Sequence, residues 1–460
     1  MSDAVGLVDE LATIVGSEHT LTGDAISDDY AHDEALTVTW TMPAVVARPG
    51  TTAQVAAILR LASAHDVPVT ARGSGTGLSG ACAPEESGIV VSFERMNRIL
   101  EIDDDNHVAV VEPGVTLEQL DAALAPHGLV YPVFPGEYSA SIGGNVATNA
   151  GGMRAVKYGV TRHHVIGLEV ALVSGDIIRT GGKIVKTSTG YDLTQLIVGS
   201  EGTLALVTEA TLRLYPRAEH QATVLAPFPT VEAVTAAVPR IVGSGIGPLI
   251  LEYIDVLTMT AMTASFGVEL GVAPEIKETA LAYLVVMMEQ TDPDRLDGDV
   301  ARLAGQLAEL GALDVYVLPP QAATELIDAR EKAFWLAKAN GADDIVDVVV
   351  PRAAIPAFMA RVAELAETSG SWIAGCGHAG DGNVHLGVFQ PDETARHQLL
   401  HDVFAAGMAL GGVISGEHGI GREKQPYLAA LEDPVKLDLM RRIKTAFDPS
   451  GILNPGKIFT

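Results

Sequence analysis

The feature that most constrains this chain is a glycine-rich stretch at residues 135–152. It holds five glycines, few large apolar side chains and a single charged residue, Glu137. A ligand can approach its backbone N–H groups closely because glycine has no Cβ, and successive N–H groups in turns form a concavity suited to an anion. The stretch therefore predicts a cradle for a large phosphate-bearing cofactor. The alternative, a flexible linker, is disfavoured because apolar, strand-like runs flank the stretch on both sides.

A second glycine-rich loop precedes it at residues 72–80, where three glycines match the dinucleotide pattern G-x-G-x-x-G. A Rossmann site also needs a helix that begins within this pattern, so that the helix N-terminus faces the pyrophosphate. Pro84 and Gly88 follow too soon to leave room for a full helix. A phosphate-binding loop of another kind is therefore favoured over a plain loop, and the Rossmann interpretation is rejected.

The size and charge of the chain narrow the classes of function. A length of 460 residues, nearly half of them apolar, predicts two domains. The net charge of −28, from 30 basic and 58 acidic residues, argues against nucleic-acid binding and against a polybasic contact with a membrane. It leaves room for a small anionic substrate, which needs only one local positive site.

The cysteines and the N-terminal residues indicate the cellular compartment in which the chain works. Cys82 and Cys376 give neither a disulfide framework nor a metal cluster of their own, so a reducing cytoplasm is expected. The first twenty residues contain no lysine or arginine, unlike a secretory signal. No apolar run approaches the ~18 residues of a membrane span, so no direct span is expected, although a peripheral position through a partner protein stays open.

The apolar pattern predicts an α+β fold in four segments. A lead-in helix is expected in residues 1–42, and short strands alternate with helices over residues 43–217. Long alanine- and leucine-rich helices then alternate with strands over residues 218–447, and a tail follows at residues 448–460.

Two more glycine-rich loops, in the second half, carry histidines. One includes His378 and His385, and the other includes the adjacent pair Glu417 and His418. Two imidazoles and one carboxylate commonly hold Zn²⁺ or a similar divalent ion with one open position. We therefore predict a metal site at His378, His385 and Glu417, with His418 left for proton transfer, since adjacent residues often cannot both bind one ion. The alternative is that each histidine caps a turn or belongs to a buried polar network.

Six ordered segments resemble the FAD-linked oxidases that share the flavin domain of vanillyl-alcohol oxidase and p-cresol methylhydroxylase (PCMH). The chain is more closely similar to the group of the glycolate oxidase flavin subunit, D-lactate dehydrogenase and D-2-hydroxyglutarate dehydrogenase. The resemblance runs from about residue 44 to the C-terminus. The segments are residues 72–80, 135–152, 199–203, 377–385, 415–424 and 453–457.

This resemblance implies a fold and a cofactor. A two-part FAD-binding domain of the PCMH type is expected, with an α+β substrate (cap) domain whose sheet is mainly antiparallel and a C-terminal tail that returns to the flavin domain. The implied diphosphate contacts are Arg72, Gly73, Ser74, Gly75, Thr76 and Gly77. The implied contacts along the middle of FAD are Pro135, Gly136, Ser139, Ser141, Gly143, Asn149, Gly151 and Gly152. The implied contacts near the adenine half are Glu201, Gly202 and Val207, and the implied contact from the tail is Asn454.

Some relatives outside the group attach FAD covalently through a histidine in the first loop. Residues 72–80 contain no histidine, so non-covalent FAD is expected. The resemblance also implies that His378, His385 and Glu417 bind a divalent metal, with zinc expected and manganese or iron as alternatives. His418 would be the catalytic base.

For the substrate, the resemblance implies that Arg330 and Asn383 bind the carboxylate. A planar guanidinium suits a carboxylate. The residues after this arginine include the aromatic pair Phe334 and Trp335, and the lysine of the hydroxyglutarate enzymes has no counterpart here. Because a second carboxylate would lie unpaired in an apolar pocket, D-lactate or a 2-hydroxy acid with an apolar tail is favoured over 2-hydroxyglutarate, with Trp335 as a substrate contact.

The implied reaction is oxidation of a D-2-hydroxy acid to the 2-oxo acid, with metal assistance and hydride transfer to flavin N5. A quinone, a cytochrome, an electron-transfer flavoprotein or oxygen would accept the electrons, and the chain would act as a homodimer or as a subunit of a larger oxidase. The alternatives within the family are a glycolate oxidase flavin subunit that works in a complex and D-2-hydroxyglutarate dehydrogenase. The alternative from another class is a metal-dependent hydrolase without flavin.

Overall fold

The computed structural model describes residues 2–459, and the first half of the chain forms a four-stranded, a five-stranded and a two-stranded sheet in it. The helices of this half, α1 to α6, are Ser2–Val15, Thr52–His65, Leu117–Leu124, Ile142–Thr148, Ala155–Tyr158 and Leu193–Ile197. The strands, β1 to β11, are Thr20–Leu21, Val45–Ala47, Val69–Arg72, Ile89–Ser92, Ile99–Asp103, Val108–Val111, Leu129–Val130, Val165–Ala171, Ile177–Gly181, Leu206–Arg213 and Tyr215–Pro216.

The two larger sheets differ in topology, and the third is the antiparallel pair of β7 and β11. The first has the strand order β1-β2-β4-β3, and β4 is parallel to both β2 and β3, while β1 is antiparallel to β2. The second has the order β5-β6-β10-β8-β9 and is antiparallel throughout. Helices α1 and α2 pack on the first sheet, because apolar residues such as Leu11, Val55 and Leu59 recur at helical spacing and are fully buried.

The second half of the chain is built on one large sheet. Its helices, α7 to α16, are Val231–Val242, Val256–Phe266, Pro274–Lys277, Pro293–Glu309, Pro320–Glu331, Ala333–Ala339, Ile355–Ser369, Glu393–Ala409, Gln425–Leu431 and Pro434–Phe447. Its strands, β12 to β18, are His220–Phe228, Ile250–Asp255, Ala282–Gln290, Tyr316–Val317, Asp344–Val349, Trp372–Gly377 and Asn383–Phe389.

This seven-stranded sheet is antiparallel and buried on both faces. Its strand order is β15-β12-β14-β13-β17-β18-β16. Along β13, Leu251 and Tyr253 belong to one core cluster, while Ile250 and Ile254 belong to another. Helices cover both faces, which explains why the strands are almost continuously apolar. The predicted α+β architecture with a mainly antiparallel cap sheet is thereby confirmed.

The C-terminal residues return to the first half of the chain, as predicted. Leu453 is fully buried and forms a parallel bridge with Val69 of β3. The side chain of Asn454 donates to the carbonyl of Glu201 at 2.6 Å, and Lys457 Nζ donates to the carbonyl of Ala83 at 2.6 Å. The boundaries at residues 42, 217 and 447 remain our proposal.

The glycine-rich stretch at residues 135–152 is more ordered than its composition indicates. The short helix α4 lies inside it, begun by Ser141, whose hydroxyl accepts from Gly144 N, and ended by Asn149 in the left-handed conformation. Ile142 and Val146 anchor α4 in the core beside the five-stranded sheet. Caps and two apolar contacts therefore stabilise a helix whose residues are weak helix formers.

Candidate active site

A large cavity in the first half is lined by both predicted cofactor loops. The predicted FAD contacts that line it are Gly73, Ser74, Gly75, Thr76, Gly77, Pro135, Ser141, Gly143, Glu201, Gly202, Val207 and Asn454. Loops far apart in the sequence thus share one concave surface. Residues that line it without having been singled out from the sequence include Cys82, Gly144, Asn145, Thr148 and Ser200.

Six predicted cofactor residues lie elsewhere. Gly136 and Gly152 line a second cavity, and the other four line neither cavity; these are Arg72, Ser139, Asn149 and Gly151. The buried guanidinium of Arg72 donates to the carbonyl of His32 at 2.6 Å. A Cβ on Gly75 would lie 2.2 Å from Arg72 Nη2, so Arg72 supports the loop from behind its cavity-facing side.

Ser141 joins the two cofactor loops. Its hydroxyl accepts from Ser74 N and from Gly144 N, both at 3.3 Å. A Cβ on Gly73 would lie 2.1 Å from the same oxygen. The close approach of the loops therefore requires glycine at position 73, and the backbone N–H groups of both loops stay next to one another.

Asn145 supplies an unused donor in the large cavity. The residue is 4% exposed, and its Nδ2 has no hydrogen-bond partner among the described residues. A buried donor without a partner is costly unless a ligand or water completes it. The glycine-lined surface and this donor together fit a large cofactor that carries hydrogen-bond acceptors.

Glu201 connects the first half of the chain to the loop that carries Glu417 and His418. Its carboxylate accepts from Ile420 N at 2.8 Å and from Gly421 N at 2.7 Å, and burial raises its pKa to about 6. Its own backbone is in the left-handed region, with φ of 51°. Glu201 lines the cofactor cavity, where the resemblance implies a cofactor contact, and its carboxylate also binds the loop that carries Glu417 and His418.

The predicted metal ligands converge in the second cavity. His378 Nε2 lies 3.1 Å from Glu417 Oε1, and His385 Nε2 lies 3.3 Å from the same oxygen. In a tetrahedral site with ligand bonds of ~2.0–2.1 Å, neighbouring ligand atoms are separated by about 3.3 Å. Glu417 is therefore spaced from each histidine as two ligands of one ion would be, and the three ligand atoms lie within 4.8 Å of one another.

Burial and opposite charges set the protonation of this cluster. Burial acts to lower the pKa of His378, but Glu252 and Glu417 outweigh it and raise that pKa well above its usual value. Burial lowers the pKa of His385 to about 3 and that of His418 to about 4. Neutral imidazoles at His385 and His418 can bind an ion or accept a proton, whereas His378 would release its proton to a metal.

Asp347, on the edge strand β16, organises the neighbouring loop that carries Glu417 and His418. Its Oδ2 accepts from three successive backbone N–H groups, those of Gly416, Glu417 and His418, at 3.0–3.1 Å. The buried Lys424 Nζ lies 3.4 Å away. This fully buried carboxylate, which the sequence analysis missed, fixes the direction in which Glu417 and His418 point.

Asp347, His385 and His418 are also close enough to hold a metal ion. Oδ2 of Asp347 is already surrounded by donors, and Oδ1 accepts from the side chain of Asn383 at 2.8 Å. A cation at this second set would have to displace those donors. The set of His378, His385 and Glu417 is therefore the better candidate.

Arg330 lies in the wall of the second cavity. It is the only lysine or arginine among the described residues that line this cavity. Arg330 is 6% exposed, and its Nη2 forms an ion pair with Oε2 of Glu252 at 2.7 Å that does not have hydrogen-bond geometry. Neither Nη2 nor Nε of Arg330 has a hydrogen-bond partner among residues 2–459. A carboxylate that enters the cavity thus meets one cation with an unused donor.

Two of the residues predicted to bind the substrate do not line the second cavity. Asn383 is buried behind the site, where its Nδ2 donates to Asp347 and its Oδ1 contacts His385 Nε2, and it does not line the second cavity. Trp335 is 40% exposed and does not line the cavity either, whereas its neighbour Phe334 does.

The two cavities meet. Both are lined by Leu78, Pro135, Glu417 and His418. The candidate metal site and the candidate base therefore border the cofactor cavity, in one continuous cleft. The fold and this cleft define a flavin-dependent oxidoreductase.

Comparison with known proteins gives the family. Residues 43–181 match the model of an FAD binding domain, and residues 217–458 match that of the C-terminal domain of FAD linked oxidases. The chain belongs to the FAD-linked oxidases.

Three relatives are similar over nearly the whole chain. An FAD-linked oxidoreductase of Mycobacterium tuberculosis, described as uncharacterized, is 57% identical, over 97% of each chain. A D-lactate dehydrogenase of Archaeoglobus fulgidus is 40% identical, over 94% of this chain and 96% of its own. The glycolate oxidase subunit GlcD of Bacillus subtilis is 38% identical, over 98% of this chain and 96% of its own.

Among solved structures, a substrate-bound p-cresol methylhydroxylase is similar, with a TM-score of 0.82. The match covers 100% of this chain and 97% of that chain at 18% identity. At this identity the likeness is one of fold, and it agrees with the PCMH type of flavin domain. No helix among residues 2–459 is long and apolar enough to cross a bilayer.

Proposed function

We propose that this protein holds FAD non-covalently and oxidises a D-2-hydroxy acid to the 2-oxo acid with the help of a divalent metal ion, by hydride transfer to flavin N5. The observation that carries the proposal is the shared boundary of the two cavities at Glu417 and His418. A substrate at the metal site would lie against the cofactor cavity. Such positioning supplies much of the acceleration in reactions of this kind.

The residues present fit FAD. The glycine loops give close access to backbone N–H groups, and Asn145 offers a donor that has no other described partner. FAD supplies the two-electron acceptor when bound, and the chain contributes its position and its electrostatic surroundings.

The donor set fits a divalent ion, with zinc as the first candidate and manganese or iron as alternatives. Two imidazole nitrogens and a carboxylate oxygen are typical of catalytic zinc sites with an open position. His378, His385 and Glu417 would hold the ion, which would lower the pKa of a bound hydroxyl group. His418, whose neutral imidazole lines both cavities, would accept the hydroxyl proton.

Arg330 would bind the substrate carboxylate, since it is the one lysine or arginine among the described residues that line the second cavity, and its Nε has no hydrogen-bond partner among them. The remaining wall is largely apolar. It includes Met153, Phe334, Ala337, Ile345 and Leu386. These contacts favour D-lactate or a longer apolar 2-hydroxy acid over 2-hydroxyglutarate, whose second carboxylate would find no further lysine or arginine among the lining residues.

The two alternatives within the family predict different substrates. A glycolate oxidase subunit, as in the GlcD relative, would turn over the smallest substrate and would require partner subunits. A D-2-hydroxyglutarate dehydrogenase would prefer the dicarboxylate. On the same family grounds we propose a quinone, a cytochrome or an electron-transfer flavoprotein as the electron acceptor, and a homodimer or a larger oxidase as the assembly. A location in the cytoplasm, or at the membrane through a partner protein, is proposed from the cysteine content and the N-terminal composition.

Anaerobic titration of the purified protein tests the proposal. We expect an oxidised-flavin absorption band that bleaches with D-lactate and with longer apolar D-2-hydroxy acids, and much less with L-lactate or D-2-hydroxyglutarate. A colourless protein would support the hydrolase alternative. A flavoprotein that no 2-hydroxy acid bleaches would contradict the proposed reaction.

Replacing His378 tests the metal assignment separately. His378→Ala should lower bound zinc severalfold because it removes one of three ligands, while the flavin-to-protein ratio should change little. Metal content by plasma emission spectrometry and the visible spectrum give the two readouts. His397→Ala, at an exposed histidine of α14, is the matched control, and equal zinc in both variants would exclude the assignment.

A further inference from the structure

We propose that Glu252 is a positioning residue that orients a metal ligand and the substrate-binding arginine at the same time. This inference rests on the function proposed above. It adds that one buried carboxylate links metal affinity to substrate recognition. Neither role is visible in the sequence, where Glu252 lies inside the apolar strand β13.

The geometry gives each carboxylate oxygen its own partner. Oε1 lies 2.7 Å from His378 Nδ1, and Oε2 lies 2.7 Å from Arg330 Nη2. Glu252 is fully buried, at 0% exposure. Among the described residues, these two side chains are the cationic groups within ion-pair distance of it.

The fold itself gives no reason for a charge at this position. The flanking residues Leu251 and Tyr253 pack in an apolar core on the opposite face of the sheet, and Ile250 and Ile254 pack in an apolar core on the same face as Glu252. A buried carboxylate destabilises a protein unless its partners compensate for the lost hydration. Both partners here belong to the candidate active site.

The contact at Oε1 fixes the orientation of His378. When Nδ1–H donates to a carboxylate, the ring presents Nε2 as the ligand atom, and Nε2 is the atom that faces Glu417. The negative charge also makes the imidazole a stronger ligand.

The contact at Oε2 fixes Arg330. The ion pair with Glu252 holds the guanidinium at one end, while neither Nη2 nor Nε has a hydrogen-bond partner in the described part of the chain, and the residue lines the cavity. A planar group held in this way loses less freedom when it binds a carboxylate. Removing the charge of Glu252 should therefore disturb zinc binding and substrate binding together.

The experiment compares Glu252→Gln with Glu289→Gln in the complete flavoprotein. Glu289, on the neighbouring strand β14, is also largely buried and paired, with Lys157 and Tyr158, but it does not line the second cavity. Zinc affinity is measured by competition with a chromogenic chelator. KM and kcat for D-lactate are measured at saturating zinc, and bound FAD confirms folding.

For Glu252→Gln we expect zinc affinity to fall ~10–100-fold, as for other carboxylates that orient metal-bound imidazoles. KM should rise by about tenfold or more, because Arg330 loses its ion-pair partner, with a smaller change in kcat. Glu289→Gln should stay within about twofold of the wild type in each of these quantities, as expected for a charge outside the site.

A Glu252→Gln protein with unchanged zinc affinity, or with unchanged KM, overturns the linking role. If this variant does not fold, a crystal structure of the zinc-loaded wild type decides: a Glu252 carboxylate more than 4 Å from either partner, well beyond hydrogen-bond length, overturns the proposal, and contact with both supports it. If the wild type binds no zinc and no 2-hydroxy acid reduces its flavin, the proposed function fails first, and this inference falls with it.

Discussion

His164 shows how a single buried histidine can make stability depend on pH. It is fully buried in the flavin-binding half, between the rings of Tyr131 and Tyr215. Its Nε2 lies 3.0 Å from the carbonyl of Tyr158, and its Nδ1 has no hydrogen-bond partner among residues 2–459. Burial lowers its pKa from 6.5 to about 4, because the imidazolium would lose its hydration without gaining a counter-ion.

We therefore expect the contribution of neutral His164 to the free energy of unfolding to be complete above pH 6.5, the pKa of the group in the unfolded chain. This contribution should be lost as pH falls from 6.5 toward 4. Over this range the unfolded chain binds the proton first, so stability decreases with acidification. Between pH 7 and pH 5 the loss should be about 2 kcal/mol. Urea unfolding at both values measures it.

His164→Gln should show a shallower pH dependence than the wild type, whatever its stability at pH 7. His127→Gln is the matched control, since His127 is part-exposed and pairs with Asp104. Equal pH slopes for His164→Gln and the wild type would show that His164 is not the titrating group.

At the same scale, the sequence pointed to the proposed ligands but not to the buried residues that contact them. His378, His385, Glu417 and His418 stand out because glycines surround them in loops. Glu252 and Asp347 lie in apolar strands, so their partners depend on strand register, which a single sequence does not provide. A charge inside a buried strand was the one available signal.

At the scale of elements, the segment around α4 depends on one unusual glycine. Gly152 has φ of 113°, and a Cβ there would lie 1.8 Å from the carbonyl oxygen of Phe134. Only glycine therefore fits at position 152. The composition of residues 135–152 predicted a ligand cradle but not α4, because the helix depends on its caps and on two core contacts rather than on propensity.

Gly152→Ala should destabilise the protein by at least about 1–3 kcal/mol through backbone strain, with the clash at Phe134 adding to it. It should also lower the flavin-to-protein ratio after gel filtration, because the cofactor loop must shift. Gly305→Ala is the control: Gly305 lies in the helix α10 with open space at its Cβ position. That change should raise stability by up to about 1 kcal/mol, and a similar gain in Gly152→Ala would refute the argument.

At the scale of the whole molecule, the C-terminal tail ties the two halves together. It follows α16, the last helix of the second half, and places Leu453 against β3 and Asn454 against the carbonyl of Glu201. The resemblance in the sequence predicted this return. The individual contacts could not be predicted, because they join residues more than 250 positions apart.

Leu453→Ala should lower the free energy of unfolding by about 2–5 kcal/mol, since the side chain is fully buried and its removal leaves a cavity. The same substitution at Leu439, which is 52% exposed on α16, should change stability by less than about 0.5 kcal/mol. Chemical denaturation, monitored by flavin fluorescence, measures both changes in the free energy of unfolding. Equal effects of the two substitutions would mean that the tail does not stabilise the contact between the two halves of the chain.

The reach of Glu201 across the cleft bears on how such enzymes can be recombined. A chimera could take its second half from one homologue and its first half from another, and each half would keep its core. It would, however, change the fit between the Glu201 carboxylate and the two backbone N–H groups that donate to it. A chimera made to change substrate specificity should therefore exchange only a segment within the second half. The loop of residues 415–424 then comes from the same homologue as Glu201, which anchors it.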